Sequence, residues 1–239
     1  MNRLFLFSAL ALLFTACKKD QVSENKLDDT FNDDNWLRLR IPSGGELKAV
    51  AGSIDDTLVV STLYDTYIVT ENGTKYLRTT KNLNHTPGLL MQKDTVFALS
   101  GLGIDVKMNR RYASIPTYFT LDKGLTWHNA IDHSKLAPML LGVVTSRNHT
   151  TYELNYHSGP DNNGNGSNYV LRTTISKMEN GITSQFDHPV KEQQPINLYL
   201  DDKERMYIAT GGSISDANVY IGASVTEAAY LYISKQPIK

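Results

Sequence analysis

The sequence predicts an all-β protein in which about four similar small sheets form a ring, closed by the two ends of the chain. Three observations predict it. A turn signature, an acidic residue followed two positions later by Gly and then by a strand-like run, recurs about every 50 to 57 positions. Each copy is preceded by the same succession of short apolar runs broken by polar turns, which is a hairpin grammar and not a helical one. The last copy lacks its final strand, and the first strand-like run of the chain is a spare that fits the gap. Units of this length with four strands each have the dimensions of β-propeller blades. A β-sandwich of two sheets and a five-bladed ring are the alternative architectures.

The chain has 239 residues, 41% apolar and 21% charged, with a net charge of −1. These values are ordinary for a globular protein, and the absence of a basic excess argues against nucleic acid as a partner. Residues 1–16 place Arg3 before an apolar run over 4–14 and end on Ala16, which is a secretory signal too short to span a bilayer. Cys17 is the only cysteine and follows directly in "FTAC". The string resembles a bacterial lipoprotein signal, in which that Cys carries the lipid. Residues 17–34, charged and without periodicity, read as a flexible tether of roughly 25 Å, and residues 35–239 as the propeller domain.

"NWLRLRI", with Trp36, opens the folded part. The first unit is "LKAVAGSIDDTLVVSTLYDTYIVTENGTKYLRTT". The second is "GLLMQKDTVFALSG", an insert over 101–116, and "TYFTLDKGLTWHNAI". The third is "MLLGVVTSRNHTTYELNYHSG", an insert over 157–168, and "SNYVLRTTISKMENGITSQF". The fourth is "INLYLDDKERMYIATGG", an insert over 211–228, and "AAYLYISKQPIK". The fourth unit stops after three strands. "NWLRLRI" aligns with "KYLRTTK" and "TWHNAID", each with an aromatic at its start, so residues 36–41 are expected to complete the last sheet and remove its open edge.

The turn "TLDKGLTW", residues 120–127, resembles the Asp-box, or BNR repeat, of β-propellers. The degenerate copies "VTENGTKY" and "KMENGITS" place Glu71 with Gly73, and Glu179 with Gly181, at matching positions. The residues of the box are Thr120, Asp122, Gly124, Thr126 and Trp127, and their expected role is structural. Asp122 accepts backbone N–H groups, Gly124 takes φ > 0, and Trp127 buries its ring and donates its indole N–H.

In such a blade the turns sort by face. Short turns, the box included, fall on one face and the three long inserts on the other, where binding is expected. Arg110, Arg111, Tyr112 and His157 are the candidates on that face, since adjacent Arg with Tyr suits a carboxylate or a sugar. His85, His133 and His188 each follow Asn or Asp between units, and three imidazoles converging there would suit Zn²⁺. Asp161, Asn163, Asn165 and Gly166 have the spacing that opens a calcium loop, but Arg172 stands where Glu belongs. A tether entering at Trp36 leaves the short-turn face nearest the membrane and turns the long-loop face away.

The expected function is that of a membrane-anchored envelope lipoprotein, periplasmic or outer-surface, whose propeller binds a glycan or an envelope protein without catalysis and without a cofactor. The alternative is a sialidase-like glycoside hydrolase. "LRIP" resembles the Arg-Ile-Pro motif of that family, and the resemblance implies a carboxylate-binding role for Arg40. No Gly-x-Ser-x-Gly or His-Glu-x-x-His motif is present.

Overall fold

The computed structural model describes residues 22–24, 30–79, 81, 83, 85–131, 136–159 and 169–238. Cys17, the signal over 1–16, His133, and Asp161 to Gly166 of the calcium-like loop lie outside the described residues. Among the described residues no helix is long and apolar enough to cross a membrane.

The architecture is all-β. In chain order the strands are β1 (Val22–Glu24), β2 (Trp36–Ile41), β3 (Leu47–Gly52), β4 (Leu58–Thr62), β5 (Thr66–Thr70), β6 (Lys75–Arg78), β7 (Gly88–Gln92) and β8 (Thr95–Leu99). Then follow β9 (Leu102–Asp105), β10 (Arg110–Ala113), β11 (Pro116–Thr120), β12 (His128–Asn129), β13 (Met139–Leu141) and β14 (Val143–Thr145). The last are β15 (Thr151–Gly159), β16 (Tyr169–Glu179), β17 (Ile182–Gln185), β18 (Gln193–Leu200), β19 (Met206–Ile214), β20 (Tyr220–Gly222) and β21 (Ala229–Ser234).

Five sheets build the propeller. Their strand orders are β1-β6-β5-β4-β3, β12-β11-β8-β7, β13-β10-β9, β14-β15-β16-β17 and β18-β19-β21-β2. Every strand pair is antiparallel, and short turns join β3 through β6 and β7 to β8, as alternating apolar runs and turn residues dictate. Four apolar clusters fill the spaces between neighbouring sheets. One joins Leu39, Leu58 and Tyr67 to Tyr207 and Leu231, and a second joins Ala49 and Val59 to Leu89 and Val96. A third holds Phe97, Leu99, Ala113 and Leu141, and the last joins Tyr152 and Ile175 to Met206 and Tyr232.

The chain ends meet. β2 is the outer strand of the last sheet, with Trp36 opposite Ser234, Arg38 opposite Tyr232 and Ile41 opposite Ala229. The recurrent turns also fall where the repeat places them, between the third and fourth strands of their sheets. Gly73, Gly124 and Gly181 have φ of 89°, 97° and 78°. That region costs glycine nothing and disfavours residues with a Cβ.

Two features differ from the sequence expectation. The insert over 101–116 is not a plain loop. It forms the β9–β10 hairpin, whose β10 pairs with β13 through Arg111 opposite Leu141, adding a three-stranded sheet to the four that the repeats count. Val22–Glu24, inside the segment expected to be a tether, runs as β1 along β6, with Val22 opposite Leu77 and Glu24 opposite Lys75.

Candidate functional site

The turn over 120–127 is held by its own side chains. Asp122 Oδ1 accepts the backbone N–H of Thr126 at 2.8 Å, and its Oδ2 accepts the Thr126 hydroxyl at 2.6 Å. The Thr120 hydroxyl donates to Asp122 at 2.7 Å and accepts from Gly124 N–H at 2.9 Å. Burial pushes the Asp122 carboxyl up, but the hydrogen bonds from Thr126 and Thr120 outweigh it and hold the group at about 2. Trp127 is half-buried and packs against the cluster of Ala49, Val59 and Leu89. Its indole N–H has no acceptor among the described residues, contrary to the donor role expected of it. This turn binds its own loop and leaves nothing for a ligand.

Cavities open at both ends of the ring axis. The short-turn end holds about 760 Å³, lined by Gly52, Met91, Leu121, Tyr199 and charged turn residues. Those charges largely satisfy one another: Lys203 reaches Asp55 at 2.6 Å, Lys123 reaches Asp56 at 2.5 Å, and Arg205 reaches Asp55 at 2.9 Å and Asp201 at 2.6 Å. The long-loop end holds about 280 Å³ and is chemically different. Two of the inserts reach it, through Leu102 and Arg111 and through Tyr220, and the strands that flank the third supply Tyr156 and Val170. The inner strands supply Lys48, Leu141, Gln194 and Asn197, and Pro87 precedes β7.

Asn197 closes the floor. Its amide nitrogen donates to Lys48 O at 2.8 Å and Pro87 O at 3.4 Å, and its oxygen accepts from Gly142 N–H at 3.0 Å. One buried side chain on β18 therefore ties together β3, the approach to β7, and the junction of β13 and β14. Gln194 accepts from Thr173 N–H at 3.0 Å and donates to Leu171 O at 3.0 Å, which aligns the upper wall.

The rim is polar and unequally charged. The Arg111 guanidinium lies 4.3 Å from the Tyr156 ring centroid, stacked over its face. Burial raises the Tyr156 hydroxyl above its ordinary range, although Arg111 opposes it. Glu46 accepts from both Lys48 and Tyr220. Burial pushes Glu46 up, yet those two hydrogen bonds win, and the carboxyl is lowered and ionised at neutral pH. Tyr220 is pushed well up, by burial first and then by the Glu46 carboxylate.

Of the residues expected on this face, only Arg111 enters the cavity. Strand alternation turns its neighbours away. Arg110 makes a bidentate ion pair with Glu153 at 2.8 and 2.6 Å. Tyr112 lies over Gly103, where a Cβ would meet its ring. His157 is exposed, and its Nε2 is 3.0 Å from the Thr174 hydroxyl. Arg40 lies on the outer strand β2, opposite Tyr230, and lines a separate shallow groove with Gly45 and Thr226.

The proposed metal ligands do not assemble among the described residues, where no group of three or more His, Cys, Asp or Glu is placed to hold an ion. His85 packs edge-on to Tyr64, with ring centroids 5.9 Å apart. His188 feels Lys191 and Arg172. Burial first, and then Lys191, lower it to about 4. Glu46, Lys48, Tyr156, Gln194, Asn197 and Tyr220 were missed by sequence reasoning. They lie on separate units without a shared local motif, and only the alternation of "YELNY" and "INLYL" hinted at inward-facing positions.

No protein-family model matches the chain, and no curated protein matches it. Among solved structures, a gluconolactonase from Xanthomonas campestris is similar at a TM-score of 0.29 and 13% identity, over 89% of this chain and 95% of that one.

Proposed function

We propose that this chain is an Asp-box (BNR-repeat) propeller, lipid-anchored through Cys17 in a bacterial cell envelope, that binds a carboxylate-bearing glycan or peptide in the axial cavity of its long-loop face. One observation carries the reading: residues of three different units, two of them on inserts, converge on one cavity whose rim presents Arg111 over Tyr156. A guanidinium braced on an aromatic face suits a carboxylate, with the ring left for an apolar or sugar face. Binding without turnover fits Glu46, which its partners hold ionised and which is thus a poor proton donor at neutral pH. The five sheets favour the five-bladed form of the ring over the four units that the repeats count.

The test is calorimetric titration with uronic- and sialic-acid-containing oligosaccharides and acidic peptides. Arg111→Ala is expected to weaken a measured affinity at least about tenfold, the scale of a lost charge-assisted bond. An unchanged affinity in Arg111→Ala would sink the reading.

A second reading, hydrolysis of an acidic glycoside, has one observation in its favour. The Tyr220 hydroxyl donates to Glu46 in the same cavity, a hydroxyl with a base beside it. Its test is release of a fluorescent aglycone from acidic glycosides. Turnover abolished by Tyr220→Phe would establish it, and no turnover in the parent protein would end it.

A further inference from the structure

The polar groups of the axial cavity are nearly all spent on one another. Asn197 uses both amide N–H groups, on Lys48 O and Pro87 O, and its oxygen accepts from Gly142 N–H and Leu198 N–H. Gln194 donates to Leu171 O and to the Thr173 hydroxyl and accepts from Thr173 N–H, all at 2.8–3.0 Å. Glu46 accepts from Lys48 and Tyr220, so its charge is matched where it stands. An amide so engaged has no N–H left to offer a ligand, and a matched carboxylate has little net charge.

Arg111 is the exception. Its guanidinium makes no ion pair among the described residues and rests on the Tyr156 ring, while Arg110 holds both oxygens of Glu153. Among the described residues, the charged side chains lining the cavity are Glu46, Lys48 and Arg111. The first two cancel, and the surplus is the positive charge of Arg111.

What surrounds that cation is hydrocarbon. Leu102 is 61% exposed, Val170 47% and Tyr156 39%, and all three line the same cavity with Leu141 and Ile196. Ile104 stands directly opposite Arg111 in the β9–β10 pairing, and strand alternation puts Leu102 on the same side of that hairpin. Tyr156 sits where the β15–β16 pairing shifts between Asn155 and His157, and such a bulge re-aims a side chain. Apolar carbon left open to water around an unpaired cation is covered favourably by a ligand that brings both an anion and hydrocarbon.

An acidic sugar is a poor match. Its hydroxyls would leave water for walls whose amides are already taken, and a polar group desolvated without a partner costs affinity. A cavity of about 280 Å³ also lies at the small end for a ligand site, so the body it accepts is small.

We propose that the ligand of this site is a monocarboxylate on a small apolar body, with its carboxylate on Arg111 and its hydrocarbon against Leu102, Val170 and Tyr156. A free acyl amino acid and the C-terminal residue of a peptide share this chemistry. The inference rests on the carboxylate-binding role proposed above and narrows it.

The experiment is calorimetric titration of the full chain with N-acetyl-leucine, the peptide Ala-Ala-Leu, N-acetyl-leucinamide and glucuronate. Both apolar acids are expected to bind at least about tenfold more tightly than either the amide or glucuronate. Leu102→Ser with Val170→Ser, both at exposed positions, is expected to remove about tenfold of the preference over glucuronate. Glucuronate binding as tightly as the apolar acids, or more tightly, overturns this inference and leaves the carboxylate reading standing. The amide binding as tightly as N-acetyl-leucine overturns both, as does an absence of binding by any of these probes. An unchanged preference in the double variant overturns the placement of the hydrocarbon and, with it, the proposal. A difference between N-acetyl-leucine and Ala-Ala-Leu, in either direction, sustains the shared chemistry and identifies its source.

Discussion

Replacing Asn197 with Leu keeps the side-chain volume and removes every polar contact at the floor of the axial cavity. Three hydrogen bonds to other inner strands are lost: to Lys48 O, to Pro87 O and from Gly142 N–H. At about 1 kcal/mol net for each bond, that is about 3 kcal/mol. Gly142 N–H is buried and loses its acceptor, which adds about 1–2 kcal/mol of desolvation. Asn197→Leu is therefore expected to cost about 4–5 kcal/mol, far more than a typical single substitution. Urea unfolding followed by the fluorescence of Trp36 and Trp127 measures it, because these report from different sheets. With an m-value near about 2–3 kcal/mol/M, the midpoint moves down by about 2 M. Asn197→Asp adds a control by pH. It keeps both bonds accepted by the side-chain oxygen but points a carboxylate at two carbonyl oxygens. Its folded pKa is raised, so its penalty is greatest at neutral pH and shrinks as the carboxyl is protonated. A loss below about 1 kcal/mol in Asn197→Leu would refute the view that this one amide ties the ring together.

Three further predictions follow from the same bonds and burial. Asp122→Asn should destabilise by about 1 kcal/mol at pH 7, after discounting for the partial exposure of the turn. Because the folded pKa is lowered to about 2, that difference is full above about pH 4 and disappears as the pH falls toward 2, which unfolding curves at pH 7, 4 and 2.5 test. His188 is held neutral, with its pKa lowered to about 4, so unfolding takes up a proton between that value and about 6.5. Stability should fall across that window by about 2 kcal/mol, and His188→Gln should flatten that part of the pH profile. Arg205→Met leaves the buried Asp201 without its cation and severs the links to Asp55 and Ser53, so a loss of about 3–5 kcal/mol is expected in the same urea assay.

The ring closure was legible because a repeat exposes its own gap. Trp36 begins the outer strand of the last sheet, Tyr76 stands second in β6, and Trp127 sits just ahead of β12. Tyr76 packs on Tyr67 of its own sheet, while Trp36 packs on Phe186 and Trp127 on the Val59 cluster, each from another sheet. The turn glycines were legible because their φ is a local requirement. The pairing of β10 with β13 was not, since Arg111 and Leu141 lie thirty positions apart and no turn sets their register. Reading residues 101–116 as a loop also lost the period of two that separates Arg111 from Arg110 and Tyr112. The cavity was least legible of all, because Glu46, Arg111, Tyr156 and Tyr220 come from four stretches that only the closed ring brings together.

The two ends of the axis differ in how far their polar groups are engaged with one another. At the short-turn end Asp201 accepts from Lys203 N–H, Arg205 N–H, the Arg205 guanidinium and the Tyr207 hydroxyl, and Arg205 carries the network on to Asp55 and Ser53. The Tyr199 and Tyr207 hydroxyls join the same corner, accepting from Gly52 N–H and Ile54 N–H. Polar groups so engaged rigidify the ring and have little capacity left for a solute. At the other end Arg111 leans on a neutral ring, and Leu102 and Val170 remain open to solvent. A ligand there meets a cation it does not have to take from a carboxylate, on walls that Gln194 and Asn197 have already fixed. On the proposed function, the low cost of ordering such a site on binding is what would let a cavity of about 280 Å³ hold a ligand.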